Sequence, residues 1–209
     1  MAAPPIRIVP LTTADIPLLA PVYQRGFVST SINSYCYSSV TLSGYIPWLS
    51  GRFEGVLAGR ERGDKVEVLV AKKGEEVVGY TWYSFVPAAQ ERDGGSKWHA
   101  YPEGADLARA ESIFAKLNAY EDGVPEAHWA LDNLVTVPEV QGQGIGKALA
   151  MRVIEIAKAD GLPLYLESTN AGLPFYEKLG FARCAPPLEA DDVPGLELLW
   201  PLRYEGTRA

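Results

Sequence analysis

The chain has 209 residues, 47% of them hydrophobic and 22% charged, with a net charge of −7. That length suffices for one substantial core and nothing demands a second domain, while an acidic balance without a Lys/Arg stripe argues against nucleic acid as the main partner and is compatible with a cationic one. Two histidines, His99 and His128, and two distant cysteines, Cys36 and Cys184, leave little from which to build a metal centre, a His-based triad or a disulfide framework, so no metal is expected and the thiols are read as reduced.

The first residues, "MAAPPIRIVPL", carry prolines where a leader would need an apolar helix, and no segment approaches the roughly 18 uncharged residues of a membrane span. The expectation is a soluble cytoplasmic protein without membrane contact. "IRIVPL" reads as a first strand. Thr12 and Thr13 offer an N-cap for a helix over "ADIPLLAPVYQRGF", where Ile16, Leu19, Val22 and Phe27 recur at helical spacing. A polar connection, "STSINSYCYSS", leads to a second helical stretch over about residues 44–62.

The period then changes. "KVEVLVAKKGEEVVGYTWYSF" holds two β-branched and aromatic runs joined by a turn around Lys73-Gly74, a hairpin signal. About residues 87–106 carry Pro, Gly and charge with little periodicity and read as an insertion or lid, followed by a helix over "LARAESIFAKLNAYED". "HWALDNLVTVP" is a nearly continuous apolar strand of the kind covered on both faces. In "IGKALAMRVIEIAKADG", Ile145, Leu149, Val153 and Ile156 form one helical stripe, and Gly161 marks its end. "PLYLES" is a further strand, "AGLPFYEKLGF" a short helix ending at Gly180, and "LELLWPLRY" a last strand. The predicted class is α/β: a single domain with a mixed, partly parallel twisted sheet flanked by helices.

Between the apolar strand and its helix lies "PEVQGQGIGKAL", with glycines at 142, 144 and 146. A side-chain-poor loop entering a helix bares unpaired N–H groups at the positive end of the macrodipole, a site for phosphate; the plainer alternative is a tight turn with no ligand. A Walker A loop is excluded, because its first glycine position is Gln141 and its hydroxyl position is Ala148. A dinucleotide-type Gly-x-Gly-x-x-Gly is excluded too, since its last position falls on Lys147 or Leu149.

What remains, Gln141-x-x-Gly144-x-Gly146 within "LVTVPEVQGQGIGKAL", followed after one helix by "LYLESTNAGLPFYEKLGF", resembles motifs A and B of the GCN5-related N-acetyltransferase (GNAT) family. The resemblance is strong over about residues 127–183 and weak over the hairpin at 66–84. It implies acetyl-CoA as cosubstrate, with Gln141, Gly142, Gln143, Gly144, Ile145, Gly146 and Lys147 around its pyrophosphate and Asn170 near the coenzyme. It also implies that Leu134, Val135 and Thr136 lie where the strand splays and lends its backbone to the pantetheine arm; read without it, these are buried strand residues, and Asn133 beside them marks a bulge. Tyr176 matches the tyrosine that protonates the departing thiolate, Glu167 matches a glutamate used as general base, and Asp132 is the other carboxylate within reach. From spacing alone Tyr176 is a core aromatic on the Leu173-Tyr176-Leu179 face, the two acids are ordinary strand residues, and both histidines are structural or exposed.

The acceptor wall of such a fold would come from "STSINSYCYSS" and "PAAQERDGGSKWHAYPEG", whose aromatic and acidic residues suit a small amine. The expected activity is direct acetyl transfer, in a ternary complex, to the primary amine of a small molecule by a monomer or homodimer. The alternatives are a protein or peptide N-acetyltransferase, a non-catalytic acyl-CoA sensor, and a covalent route through Cys36 or Cys184.

Overall fold

A computed structural model describes residues 5–92 and 100–205. In chain order the elements are β1 (Ile6–Pro10), α1 (Ile16–Phe27), α2 (Ser31–Cys36), α3 (Leu42–Arg62), β2 (Val66–Lys73), β3 (Glu76–Val86), α4 (Leu107–Asp122), β4 (His128–Thr136), α5 (Ile145–Asp160), β5 (Leu164–Ser168), α6 (Leu173–Leu179), β6 (Phe181–Arg183), β7 (Leu188–Glu189) and β8 (Glu197–Tyr204). The eight strands form a sheet of order β1-β2-β3-β4-β5-β8-β6, with β7 pairing β8 off that path. β4 and β5 run parallel and the other pairs antiparallel, as the mixed sheet predicted.

The departures from expectation have local causes. The polar connection contains α2, a helix of six residues too short to show a period, started by Thr30, whose hydroxyl accepts from the Asn33 amide at 3.3 Å. β6 and β7 are short strands defined by their partner β8 rather than by any pattern of their own. Of the expected insertion, residues 93–99, including His99, lie outside the described residues; on one side of them the chain makes a single 3-10 turn at Ala89–Glu91.

Thr12 caps a 3-10 turn at Thr13–Asp15 that leads into α1, whose own N-cap residue is Asp15 rather than a threonine. The Thr12 amide and hydroxyl both donate to Asp15 Oδ2, at 3.1 and 2.7 Å, in a capping box. Asp15 is 2% exposed and pairs through Oδ1 with Lys72 Nζ on β2 at 2.5 Å, so the start of α1 is fastened to the front of the sheet.

Apolar packing forms two adjoining clusters. One joins α1, α3 and α4 to β2 and β3 around Leu19, Phe53, Val70, Tyr80 and Ile113. The other joins α5 and α6 to β5 and β8 around Val153, Ile154, Leu164, Tyr176 and Leu202. No helix among the described residues is long and apolar enough to cross a membrane.

Candidate functional site

β4 and β5 pair only at Trp129–Leu164 and Ala130–Tyr165. Beyond that point β4 continues beside β3 to the pairs Val135–Tyr80 and Thr136–Gly79, while β5 continues beside β8 to Ser168–Trp200. Two neighbouring strands thus part in mid-sheet, leaving the backbone of Leu131–Thr136 without a strand on that side. The divergence coincides with a β-bulge: Leu131 faces Tyr83 and Asn133 faces Trp82, so Asp132 is the extra residue. The expected bulge is therefore real, one residue before Asn133. Asp132 accepts from Ser84 Oγ at 2.8 Å, and the Asn133 carbonyl accepts from Thr81 Oγ1 at 3.0 Å, which fixes the distorted segment.

The gap opens into a cavity of about 740 Å³, walled by β4 residues Leu131–Thr136, by Glu167 and Ser168 at the end of β5, by Phe175 and Tyr176 of α6, and by α1, α2 and α3. A volume of that order suits a small-molecule site. Gln141, Gly142, Gly144, Gly146 and Lys147 line its mouth. Gly142 and Gly144 have φ of 74° and 82°, in the left-handed region glycine enters at little cost, and a Cβ at either would meet open space. The loop spends two amides on itself, Gln141 to Pro138 O and Gln143 to Val140 O. Among the described residues, no acceptor is assigned to the amides of Gly142, Gly144, Ile145, Gly146 or Lys147 at the N-terminus of α5. Those donors and the helix dipole make a ready cradle for an anion.

Tyr176 is 8% exposed, packed between Phe175 and Phe181 with ring centroids 5.0 and 5.5 Å away. Burial alone raises its phenol well above the ordinary value, so the hydroxyl stays protonated. The close fit of α6 depends on Gly172, where a Cβ would stand 2.9 Å from Ser168 Oγ and 3.3 Å from Tyr176 Cε2. The half-buried carboxylates Asp132 and Glu167 lie on opposite sides of the gap, one on each diverging strand.

Of the sequence-derived candidates, Tyr176, Glu167, Asp132, Leu134, Val135, Thr136, Gln141, Gly142, Gly144, Gly146 and Lys147 line the cavity together. Three stand apart. Ile145 is 3% exposed in the core, so its amide rather than its side chain serves the loop. Gln143 folds back to donate to the Glu139 carbonyl at 3.0 Å. Asn170 turns to β8, donating to Glu197 O and accepting from Trp200 Nε1 at 2.8 Å.

Buried His128 contacts the Glu126 carbonyl at 2.8 Å and stacks edge-on against Tyr165, a structural setting. Neither cysteine lines the cavity: Cys36 is buried, its thiol pushed up to about 12 by desolvation and then by Asp106, and Cys184 lies near the Tyr120 hydroxyl at 3.1 Å. Among the described residues no cluster of His, Cys, Asp and Glu could hold a metal ion.

Of the two segments expected to form an acceptor wall, Ser29, Thr30, Ile32, Asn33 and Tyr37 line the cavity, whereas residues 87–92 and 100–104 do not. The unforeseen element is on α3, where the Arg52 guanidinium lies 5.1 Å from the Trp48 ring and 4.9 Å from the Trp82 ring. The four-residue spacing from Trp48 to Arg52, one helical turn, was the available signal.

A family model, the Acetyltransferase (GNAT) family, matches residues 36–181. Among curated proteins, glucosamine 6-phosphate N-acetyltransferase of Trypanosoma brucei brucei is 44% identical over 52 residues, 24% of this chain and 35% of its own. The probable acyltransferase SID5 of Ajellomyces capsulatus is 37% identical over 71 residues, 30% of this chain and 52% of its own. The matches thus span about a third to a half of these relatives' lengths. Among solved structures, arylalkylamine N-acetyltransferase 2 of Aedes aegypti has the same fold at a TM-score of 0.67 and 14% identity, covering 95% of this chain and 97% of its own. The PaiA N-acetyltransferase of Thermoplasma acidophilum, solved with coenzyme A, follows at 0.61 and 16% identity, covering 96% and 98%.

Proposed function

The chain belongs to the GNAT family of acetyltransferases, and on that premise we propose that it transfers an acetyl group from acetyl-CoA to the primary amine of a small molecule, directly, within a ternary complex. The observation that carries this reading is the parting of β4 and β5 after Ala130–Tyr165 beside a loop of unclaimed amides. Unclaimed amides suit a diphosphate, and the bare β4 edge suits an amide-bearing chain that pairs with it like a strand. The residues present therefore fit coenzyme A.

Bound acetyl-CoA would supply an acyl group activated as a thioester. The amides of Gly142, Gly144, Ile145, Gly146 and Lys147 would hold the diphosphate, aided by the dipole of α5 with about 0.3–1 kcal/mol. The backbone of Leu134–Thr136 aligns the arm along the gap. Glu167 or Asp132 accepts the proton of the incoming ammonium, directly or through water, because only a neutral amine is nucleophilic. Tyr176 donates its hydroxyl proton to the departing sulfur; burial raises the phenol above its ordinary value of about 10, so the proton is in place when the thiolate forms.

The glucosamine 6-phosphate N-acetyltransferase match makes amino sugars one natural starting point for substrates. The test is release of free thiol from acetyl-CoA against a library of small amines, with acetylated product identified by mass spectrometry. Turnover of one or more amines with one product per thiol is expected; tight coenzyme binding without turnover of any amine would contradict the reading.

A further inference from the structure

Arg52 lies on the cavity wall with its guanidinium over the Trp48 and Trp82 rings, and the Tyr37 ring is 6.1 Å from Trp48. Stacking occupies the faces of a guanidinium and is compatible with in-plane hydrogen bonds, the geometry in which arginine takes carboxylate or phosphate. Tyr37 adds an independent observation. It is 3% exposed, and among the described residues its hydroxyl is buried with no hydrogen-bond partner, a costly arrangement unless a ligand completes it. Tyr37 is held there by α2, because the preceding Tyr35 donates to Asp192 Oδ1 at 2.5 Å and Asp192 is gripped by Arg109 at 2.8 Å. Desolvation lowers the Arg52 pKa, opposed by the nearby Tyr23 and Asp132.

Across the cavity the charge reverses. Asp132 and Glu167 stand on the diverging strands, and Asp132 is near enough to Arg52 to act on it electrostatically. A ligand whose ammonium faced those carboxylates could set a second, anionic group against Arg52. Tyr23, Trp48 and Trp82 would pack on the body between.

Resting on the acetyl-transfer reading, we propose that Arg52, with the Tyr37 hydroxyl and the Trp48/Trp82 clamp, forms an anion subsite, and that the acceptor is an amine that also bears a carboxylate or phosphate. Net acidity of the whole chain does not oppose this, because recognition is decided by the charge at the subsite.

The test pairs amines that differ only in the anion, phenylalanine with phenethylamine and O-phosphoethanolamine with ethanolamine, assayed by thiol release at fixed acetyl-CoA. In at least one pair the anionic member should show the higher kcat/KM by about 10-fold or more, and that pair tells carboxylate from phosphate. Arg52→Gln should shrink this ratio about 10- to 100-fold, Tyr37→Phe several-fold, and Arg52→Lys should keep part of it. Coenzyme A binding to each variant establishes that it is folded, and the Tyr37→Phe and Arg52→Lys ratios decide the matter if Arg52→Gln is not. Equal use of both members of each pair, or a ratio untouched in folded variants, overturns the subsite while leaving acetyl transfer intact. Absence of thiol release with every amine overturns both.

Discussion

A Cβ at Gly26 of α1 would stand 2.0 Å from Val135 Cγ2 on β4. No real Cβ sits so near another carbon, so α1 lies against the strand that walls the cavity only because position 26 has no side chain. Gly26→Ala would gain up to about 1 kcal/mol of helix propensity, but overpacking costs about 1–3 kcal/mol and prevails. A lower denaturant midpoint is expected, with a raised KM for acetyl-CoA because Val135 lines the cavity. An unchanged or higher midpoint would show that α1 yields freely.

Gly144→Val tests the loop without touching the core. Nothing lies within 4 Å of a Cβ there, so any effect comes from the φ of 82°, which a β-branched residue adopts only at a cost of about 1–3 kcal/mol. Calorimetry should show coenzyme A binding weakened about 10-fold or more, with thermal stability lowered only modestly. Equal affinity for both proteins would mean that the loop conformation does not matter to the ligand.

Tyr176→Phe should lower kcat about 100-fold or more while leaving coenzyme A affinity within a few-fold. Burial raises the phenol pKa, so the acid stays protonated throughout the neutral range. Its titration cannot depress the rate as pH rises toward 10, and any loss of rate toward low pH reports protonation of the base or of the amine. A wild-type profile in which Tyr176→Phe removes an alkaline limb below pH 9 would contradict this assignment.

Asp15→Asn should destabilise the fold by about 3 kcal/mol, because Lys72, only 18% exposed, is left without its partner. Desolvation alone would raise the Asp15 carboxyl pKa, but its bonds to Lys72 and Thr12 outweigh that, and the net shift is downward. A depressed carboxyl stabilises the fold above its unfolded value of 3.8 and loses that contribution as pH falls below it. Stability curves of wild type and variant should therefore converge toward low pH. Parallel curves would exclude Asp15 as the cause.

The hairpin of β2 and β3, the apolar run of β4 and the Ile145-Leu149-Val153 stripe of α5 were legible because burial on a sheet or a helix imposes a period on the sequence. The glycine loop was legible because only bare backbone serves both its φ angles and its exposed amides. α2 was hidden by its length, and β6 and β7 by dependence on β8. Sequence spacing does not say which way a side chain turns, so the bond from Trp200 to Asn170 was not legible. Arg52 on α3 was not legible as a site residue, since the second indole near it, Trp82, arrives from another element altogether.

The central claim is that backbone amides entering α5 hold the coenzyme diphosphate, and 1H–15N spectra recorded during titration with coenzyme A test it most directly. The amides of Gly142, Gly144, Ile145, Gly146 and Lys147 should show the largest shifts, saturating together at one equivalent, with Leu134–Thr136 following along β4. Unmoved resonances for these residues, while coenzyme A perturbs another part of the molecule or none, would contradict it.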